Sequence, residues 1–221
     1  IDIFKFNKNN NEKSTNKYGN VSFSGNNVFL VPPIIHNDHL IAANMNAEVF
    51  SFSLKSKEIN WGISLRKDKF QKGAHPWSAM SFDQNREEIY LVTGNPYDKL
   101  EGFMMGINRP GDNLYSNSVV CIDINTGNIK WYFQDTSHDL WGFDLSFPPI
   151  ITSLEIDKKT LDVLVVVGKS GNTFVLNREN GKNIHNFLNL KVDNSKIINE
   201  QTSPVQKKSI LPPNLINIEI K

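Results

Sequence analysis

Apolar residues in this chain recur at intervals of two, in short runs cut by Gly, Pro, Asn and Asp. From Val49 to Leu54, Phe50, Phe52 and Leu54 fall on one face and Val49, Ser51 and Ser53 on the other, the alternation of a half-buried strand. The same texture predicts strands at residues 34–35, 40–43, 59–63, 88–93, 118–124, 128–134, 161–168 and 172–177. An apolar run at 28–31 precedes Pro32-Pro33, and Pro148-Pro149-Ile150-Ile151 repeats Pro32-Pro33-Ile34-Ile35. Helical periodicity is absent. Residues 7–20 are Asn- and Lys-rich and predict a loop or disorder. The Pro-containing stretch beyond 190 predicts a connecting loop.

An internal repeat organises the strands. Cys121-Ile122-Asp123-Ile124-Asn125-Thr126-Gly127-Asn128-Ile129-Lys130-Trp131 is one copy, residues 51–61 ending in Trp61 are a second, and residues 175–185 ending in His185 are a third. Each copy reads as strand, tight turn, strand. The turn needs a residue tolerant of positive φ, which Gly127 and Gly181 supply; Lys57 fills that place less comfortably. A flat closing Trp can stack on the next unit. Short strands repeated in this way predict an all-β partial β-propeller of about three four-stranded blades. The expected boundaries are a loop or partial blade over 1–27, a blade over 28–67, a blade over 68–136 with a long loop at 94–117, a blade over 137–190, and a connecting loop over 191–221.

Composition narrows the class. The chain has 221 residues, 39% of them apolar and 21% charged, which is globular. Its 24 basic and 23 acidic residues are scattered, so no basic stripe points to nucleic acid. No apolar run is long enough for a transmembrane helix. The opening Ile1-Asp2-Ile3-Phe4-Lys5-Phe6 is not a signal peptide and reads as mid-domain sequence, so a longer natural protein is expected. Cys121 is alone, which excludes an internal disulfide.

The pattern Asp123-x-x-Thr126-Gly127-x-x-x-Trp131 resembles the tryptophan-docking motif of quinoproteins, the eight-bladed propeller dehydrogenases that use pyrroloquinoline quinone (PQQ). Gly94-Asn95-Pro96, residues 109–118, Trp131-Tyr132-Phe133-Gln134, His138-Asp139-Leu140-Trp141, residues 168–176 and Thr202-Ser203-Pro204 are similar to the glucose- and quinate-type branch. The likeness runs from about Pro32 to Pro213. It implies a dehydrogenase that oxidises a sugar, polyol or other alcohol with PQQ and Ca²⁺ or a lanthanide, and that passes electrons to a quinone or cytochrome. It also implies a periplasmic setting, membrane association through upstream sequence, and the remaining blades of the same propeller as neighbours.

The resemblance assigns roles residue by residue. Trp77 falls at the position of the cofactor-stacking indole, whose face suits a planar ring. Asn95 matches a calcium-ligating Asn, an amide oxygen being a suitable hard donor. Lys169 matches the cation that faces the quinone oxygens. Gly168-Lys169-Ser170 also imitates the end of a P-loop, but the required upstream Gly falls on Val163 and no helix follows.

Three departures stand out. The family's catalytic carboxylate, which takes the substrate's hydroxyl proton, falls on Gly142. Asp144 resembles the additional metal-ligand Asp of lanthanide enzymes and is the possible substitute; on an extended strand it would share a face with position 142, displaced by about 6–7 Å. The acidic ligand that the methanol-type branch draws from a preceding blade has no match in the short loop 44–48, where Glu48 is out of register. A capping disulfide of adjacent cysteines is impossible. His138 and Asp139 are expected to be structural, Arg109 and Asp112 to form an ion pair bracing their loop, and His36 and His39 to flank a surface turn. The alternatives are a non-catalytic Trp-docking propeller of the outer-membrane assembly type, or a cofactor-binding sensor.

Overall fold

The computed structural model describes residues 17–18, 21–22, 28–67, 72–97 and 106–216. β1 (Lys17–Tyr18) pairs with β2 (Val21–Ser22). The rest of the loop expected over 7–20 lies outside the described residues. β3 (Ile34–His36), β4 (His39–Ala43), β5 (Glu48–Ser53) and β6 (Ile59–Ser64) form a four-stranded antiparallel sheet in chain order. β7 (Lys72–Gly73) is followed by β8 (Ser81–Asp83) and β9 (Glu88–Val92), and β10 (Pro96–Tyr97) returns to pair with β7. β11 (Ser118–Asp123) and β12 (Ile129–Gln134) complete a second four-stranded sheet, ordered β8-β9-β11-β12. β13 (Ile150–Ile156), β14 (Lys159–Val167) and β15 (Thr173–Asn177) form a third, and β16 (Phe187–Lys191) pairs with β17 (Val205–Ser209).

The middle sheet is buried on both faces. In β9 and β11, Ile89, Leu91, Val120 and Ile122 pack against Ile41, Ala43 and Val49 of the first sheet. The alternate residues Tyr90, Val92, Val119 and Cys121 pack against Leu164, Val166, Phe174 and Leu176 of the third. Side chains alternate along a strand, so a strand filling two cores reads as a continuous apolar run.

The repeat positions dock one sheet on the next. Trp61 lies over the turn glycine Gly127 of the second sheet, and its indole N–H donates to the Ile124 carbonyl at 2.8 Å. Trp131 lies over Gly181 of the third, donating to the Arg178 carbonyl at 2.9 Å. A Cβ on Gly127 would fall 2.6 Å from the Trp61 ring, and one on Gly181 would fall 2.4 Å from Trp131. Both glycines also have positive φ, 74° and 70°, so they meet two demands at once. Arg178 adds charge to the second junction, bonding Asp83 at 2.6 Å and Asp162 at 2.9 Å.

Four expectations are corrected. The apolar run 28–31, which would read as a strand broken by Pro32-Pro33, is not one, although Val28 accepts a backbone bond from Met45 at 2.9 Å. The third sheet has three strands, not four: after Gly181 only the bridge Leu176–Asn183 forms. There the Asn183 side chain, not a ladder carbonyl, accepts the Val175 N–H at 3.0 Å. The connecting loop expected over 191–221 carries β17. Finally, 142–144 is not an extended strand.

Substituting Gly127 or Gly181 by Ala is expected to destabilise the protein by about 2–4 kcal/mol, combining left-handed strain with overlap on an indole. Gly111→Ala has a similar φ of 78° and nothing near its notional Cβ, and should cost only about 1 kcal/mol. Urea unfolding compares the three.

Candidate functional site

Short pairings at one end of the second sheet place the first groups. Gly73 pairs with Pro96, Pro76 bridges Thr93, and the Gly94 N–H donates to the His75 carbonyl at 2.9 Å. Segments 73–77 and 93–97 therefore run side by side, and Trp77 covers Gly94. A Cβ on Gly94 would fall 2.0 Å from Trp77 Nε1 and 2.8 Å from Asp144 Oδ1. Only glycine lets the indole and that carboxylate approach the same backbone.

Asp144 ties this cluster to the next sheet. Its Oδ1 accepts the Asn95 backbone N–H at 2.5 Å, and its Oδ2 accepts Lys169 Nζ at 2.5 Å. Its backbone carbonyl accepts the Lys169 N–H at 3.0 Å. Trp77, Asn95, Asp144 and Lys169, singled out separately in the sequence, thus share one cluster. Trp77 is 40% exposed and the Lys169 side chain 53%, whereas Asn95 is buried. The amide of Asn95 donates to the Pro96 carbonyl at 3.2 Å. The Trp77 indole and the Lys169 side chain both reach solvent.

Gly142 sits in a tight turn wound around Asp139. The buried Asp139 carboxylate accepts backbone N–H groups from Trp141, Gly142 and Phe143 and the Asn117 amide at 2.8 Å. Burial raises its pKa, and those donors oppose the rise. Gly142 has φ 75°, so the strand geometry that would carry Asp144 onto the face of position 142 does not exist. Residue 142 is turned by a left-handed step that favours glycine.

Arg109 is corrected too. Among the described residues no ion pair joins it to Asp112. Its buried guanidinium donates to Asn113 Oδ1 at 2.5 Å and to the Asp139 carbonyl at 2.6 Å. Arg109 therefore fastens its loop to the Asp139 turn. His138 bonds the Gly111 carbonyl through Nδ1 at 2.6 Å, and burial depresses its pKa. His36 and His39 pair across the first hairpin, where His39 bonds Ser51 at 2.8 Å. Glu48 is held by the Asn44 amide at 2.6 Å.

Two residues escaped the sequence reading. His75 is buried beside Trp77, ring centroids 4.5 Å apart, and among the described residues neither ring nitrogen has a hydrogen-bond partner. Burial and then Arg66 depress its pKa, while Asp144 opposes them. Asp135, fully buried after β12, accepts Ser170 Oγ at 2.6 Å and Asn172 Nδ2 at 2.7 Å. Nothing local distinguishes Asp135 from a turn carboxylate; its partners lie a whole sheet away in sequence.

Three antiparallel sheets docked in series by Trp on Gly define a sector of a β-propeller. The family described as "PQQ: Glucose/ethanol/alcohol dehydrogenase, beta-propeller domain" matches residues 22–219, and the chain belongs to it. It is 28% identical over 173 residues to quinate/shikimate dehydrogenase (quinone) of Acinetobacter baylyi, covering 78% of this chain and 21% of that protein. It is 34% identical over 132 residues to quinohemoprotein alcohol dehydrogenase of Comamonas testosteroni, covering 59% of this chain and 18% of that one. The crystal structure of the Comamonas enzyme superposes with a TM-score of 0.62 at 24% identity, covering 80% of this chain and 31% of that chain. A europium-containing methanol dehydrogenase gives 0.61 at 19% identity, covering 69% and 32%. The chain spans about a fifth of the length of the curated relatives it matches.

The residues present fit a flat polyanion better than a metal. An open indole face, an exposed ammonium and two unpaired buried nitrogens on His75 suit a planar ring bearing carboxylates and quinone oxygens. For a cation, both Asp144 oxygens are already engaged. Among the described residues no group of three or more His, Cys, Asp or Glu is placed to hold a metal. Ca²⁺ takes six to eight oxygens; as arranged, these side chains do not fit it.

Burial pushes the Asp135 carboxyl up to about 6 against the pull of Ser170, Asn172 and Lys207, with Asp139 adding to the rise. A carboxyl raised on folding adds stability only while protonated. That contribution is complete below the unfolded pKa and disappears as pH rises through about 6. Between about pH 4 and 6 the protein should lose about 2 kcal/mol of stability relative to Asp135→Asn. Unfolding free energies of the two proteins across that range measure it.

Proposed function

We propose that this chain forms a cofactor-facing sector of a PQQ-dependent dehydrogenase that oxidises a sugar, polyol or other alcohol in the periplasm and delivers electrons to a quinone or cytochrome. The supporting observation is the meeting of Trp77, Asp144 and Lys169 around Gly94, where Trp77 and Lys169 come from different sheets yet stay open to solvent. When bound, PQQ supplies the two-electron acceptor for alcohol oxidation. The indole of Trp77 supports one face of the ring. The ammonium of Lys169, paired with Asp144 in this structure, would hold the quinone oxygens and offset the negative charge that reduction brings. Asp144 keeps Asn95 in place through the backbone N–H. Both Asp144 oxygens are engaged by Asn95 and Lys169, so no metal ligand is assigned among the described residues of this chain.

Gly142 supports a second reading, cofactor binding without turnover. A glycine in a left-handed turn puts no proton acceptor at the family's base position. Titration of the full-length protein with PQQ, in the presence of Ca²⁺ or a lanthanide and followed by tryptophan fluorescence, tests both. Binding is expected, and Trp77→Ala and Lys169→Ala should each weaken it about tenfold, the equivalent of about 1.4 kcal/mol. Dye-linked alcohol oxidation then separates an enzyme from a sensor. Absence of binding contradicts both.

A further inference from the structure

Lys169 is half exposed, and among the described residues its side chain pairs with Asp144, so something else must fix where its ammonium points. The turn that carries it closes on itself through Gly168 N–H to Asn172 O and Gly171 N–H to Gly168 O, both at 3.0 Å. Beneath it lies Asp135. One carboxylate oxygen accepts Ser170 Oγ and the other accepts Asn172 Nδ2, so both bonds land inside the turn, one residue and three residues beyond Lys169. The backbone of Gly168 passes so close that a Cβ there would fall 2.6 Å from Asp135 Oδ2. Gly168, Ser170 and Asn172, three residues of the turn that carries Lys169, therefore rest on one carboxylate.

That carboxylate is anchored. The Asp135 N–H donates to the Asn117 carbonyl at 2.9 Å. Asn117 also donates through its amide to Asp139 and, at 3.1 Å, to the Phe143 carbonyl. Asp135 thus rests on the residue that steadies the turn leading to Asp144. Asn172 is held from behind, its Oδ1 accepting Ser209 N–H and Asn214 Nδ2, each at 2.9 Å.

We propose that Asp135 is a positioning residue for Lys169: it clamps the 168–172 turn so that the ammonium is presented beside Trp77 and Asp144. The value of that presentation rests on the cofactor reading above. Asp135 itself touches no ligand. Replacing it by Asn keeps the shape but removes the charge: the bond from Asn172 becomes neutral and the one to Ser170 must reverse, so both lose their charge-assisted strength. Ser170→Ala removes one of the same bonds without altering Asp135.

The test is a double-mutant cycle on PQQ affinity in the full-length protein, with Asp135→Asn and Lys169→Ala made singly and together. Asp135→Asn is expected to raise Kd about tenfold and Ser170→Ala about threefold. In the Lys169→Ala background Asp135→Asn should change Kd less than about twofold, because no ammonium remains to misplace. A purely structural carboxylate would weaken binding equally in both backgrounds, and that result overturns the proposal, as does wild-type affinity in Asp135→Asn. A second arm needs no cofactor: amide hydrogen exchange at Gly168, Lys169 and Gly171. Asp135→Asn should accelerate it about tenfold while leaving β9 and β11 protected. If the wild-type protein fails to bind PQQ, the functional reading falls and exchange alone decides the clamp. Unchanged exchange at Lys169 refutes it; selective acceleration upholds it.

Discussion

Every other relation in this structure depends on an indole lying flat on a glycine. Trp61 on Gly127 and Trp131 on Gly181 bring consecutive sheets to a fixed spacing, and each indole N–H satisfies a backbone carbonyl of the next turn. The contact works only because the glycine has no Cβ and tolerates positive φ. A repeated contact with one geometry places the sheets as repeats of one another. Loops leaving equivalent strand ends are then carried to a common side, where Trp77, Asp144 and Lys169 meet.

The junctions differ in what reinforces them. The first is almost wholly apolar, with Leu65, Ala74 and Tyr115 joining the strands. The second adds Arg178 between Asp83 and Asp162, with Arg86 closing the network at 2.9 Å to Asp162. The exposed Asp162 carboxyl is held down to about 2, first by its bond from Arg86 and then by Ser153. A half-exposed pair of this kind contributes little by itself. Its geometry still selects one register between the sheets. The site sits just beyond this junction, which is why its groups can be drawn from both sides.

Much of this was legible in the sequence. The two-residue alternation and the spacing of Trp61, Trp131, Gly127 and Gly181 carried the fold, because docking requires those residue types at those positions. The cluster at Gly94 was legible through family resemblance, not through periodicity: Trp77, Asn95 and Lys169 have no local signal that sets them apart from core or turn residues. What failed were inferences from local extension. Position 142 was placed on a strand, and a left-handed turn around Asp139 put it elsewhere. Arg109 was matched to the nearest acid in sequence, and folding gave it Asn113 and the Asp139 carbonyl. The roles of Asp135 and His75 depend on partners distant along the chain, and spacing carries no record of those.

Trp77 and Lys169 are carried by separate sheets and would converge on one planar guest. A crystal structure of the full-length protein grown with PQQ tests that convergence most directly. The quinone ring should stack on the Trp77 indole, with Lys169 Nζ moved from Asp144 to a quinone oxygen. A ring bound elsewhere, or Lys169 still paired with Asp144 beneath a bound cofactor, contradicts it.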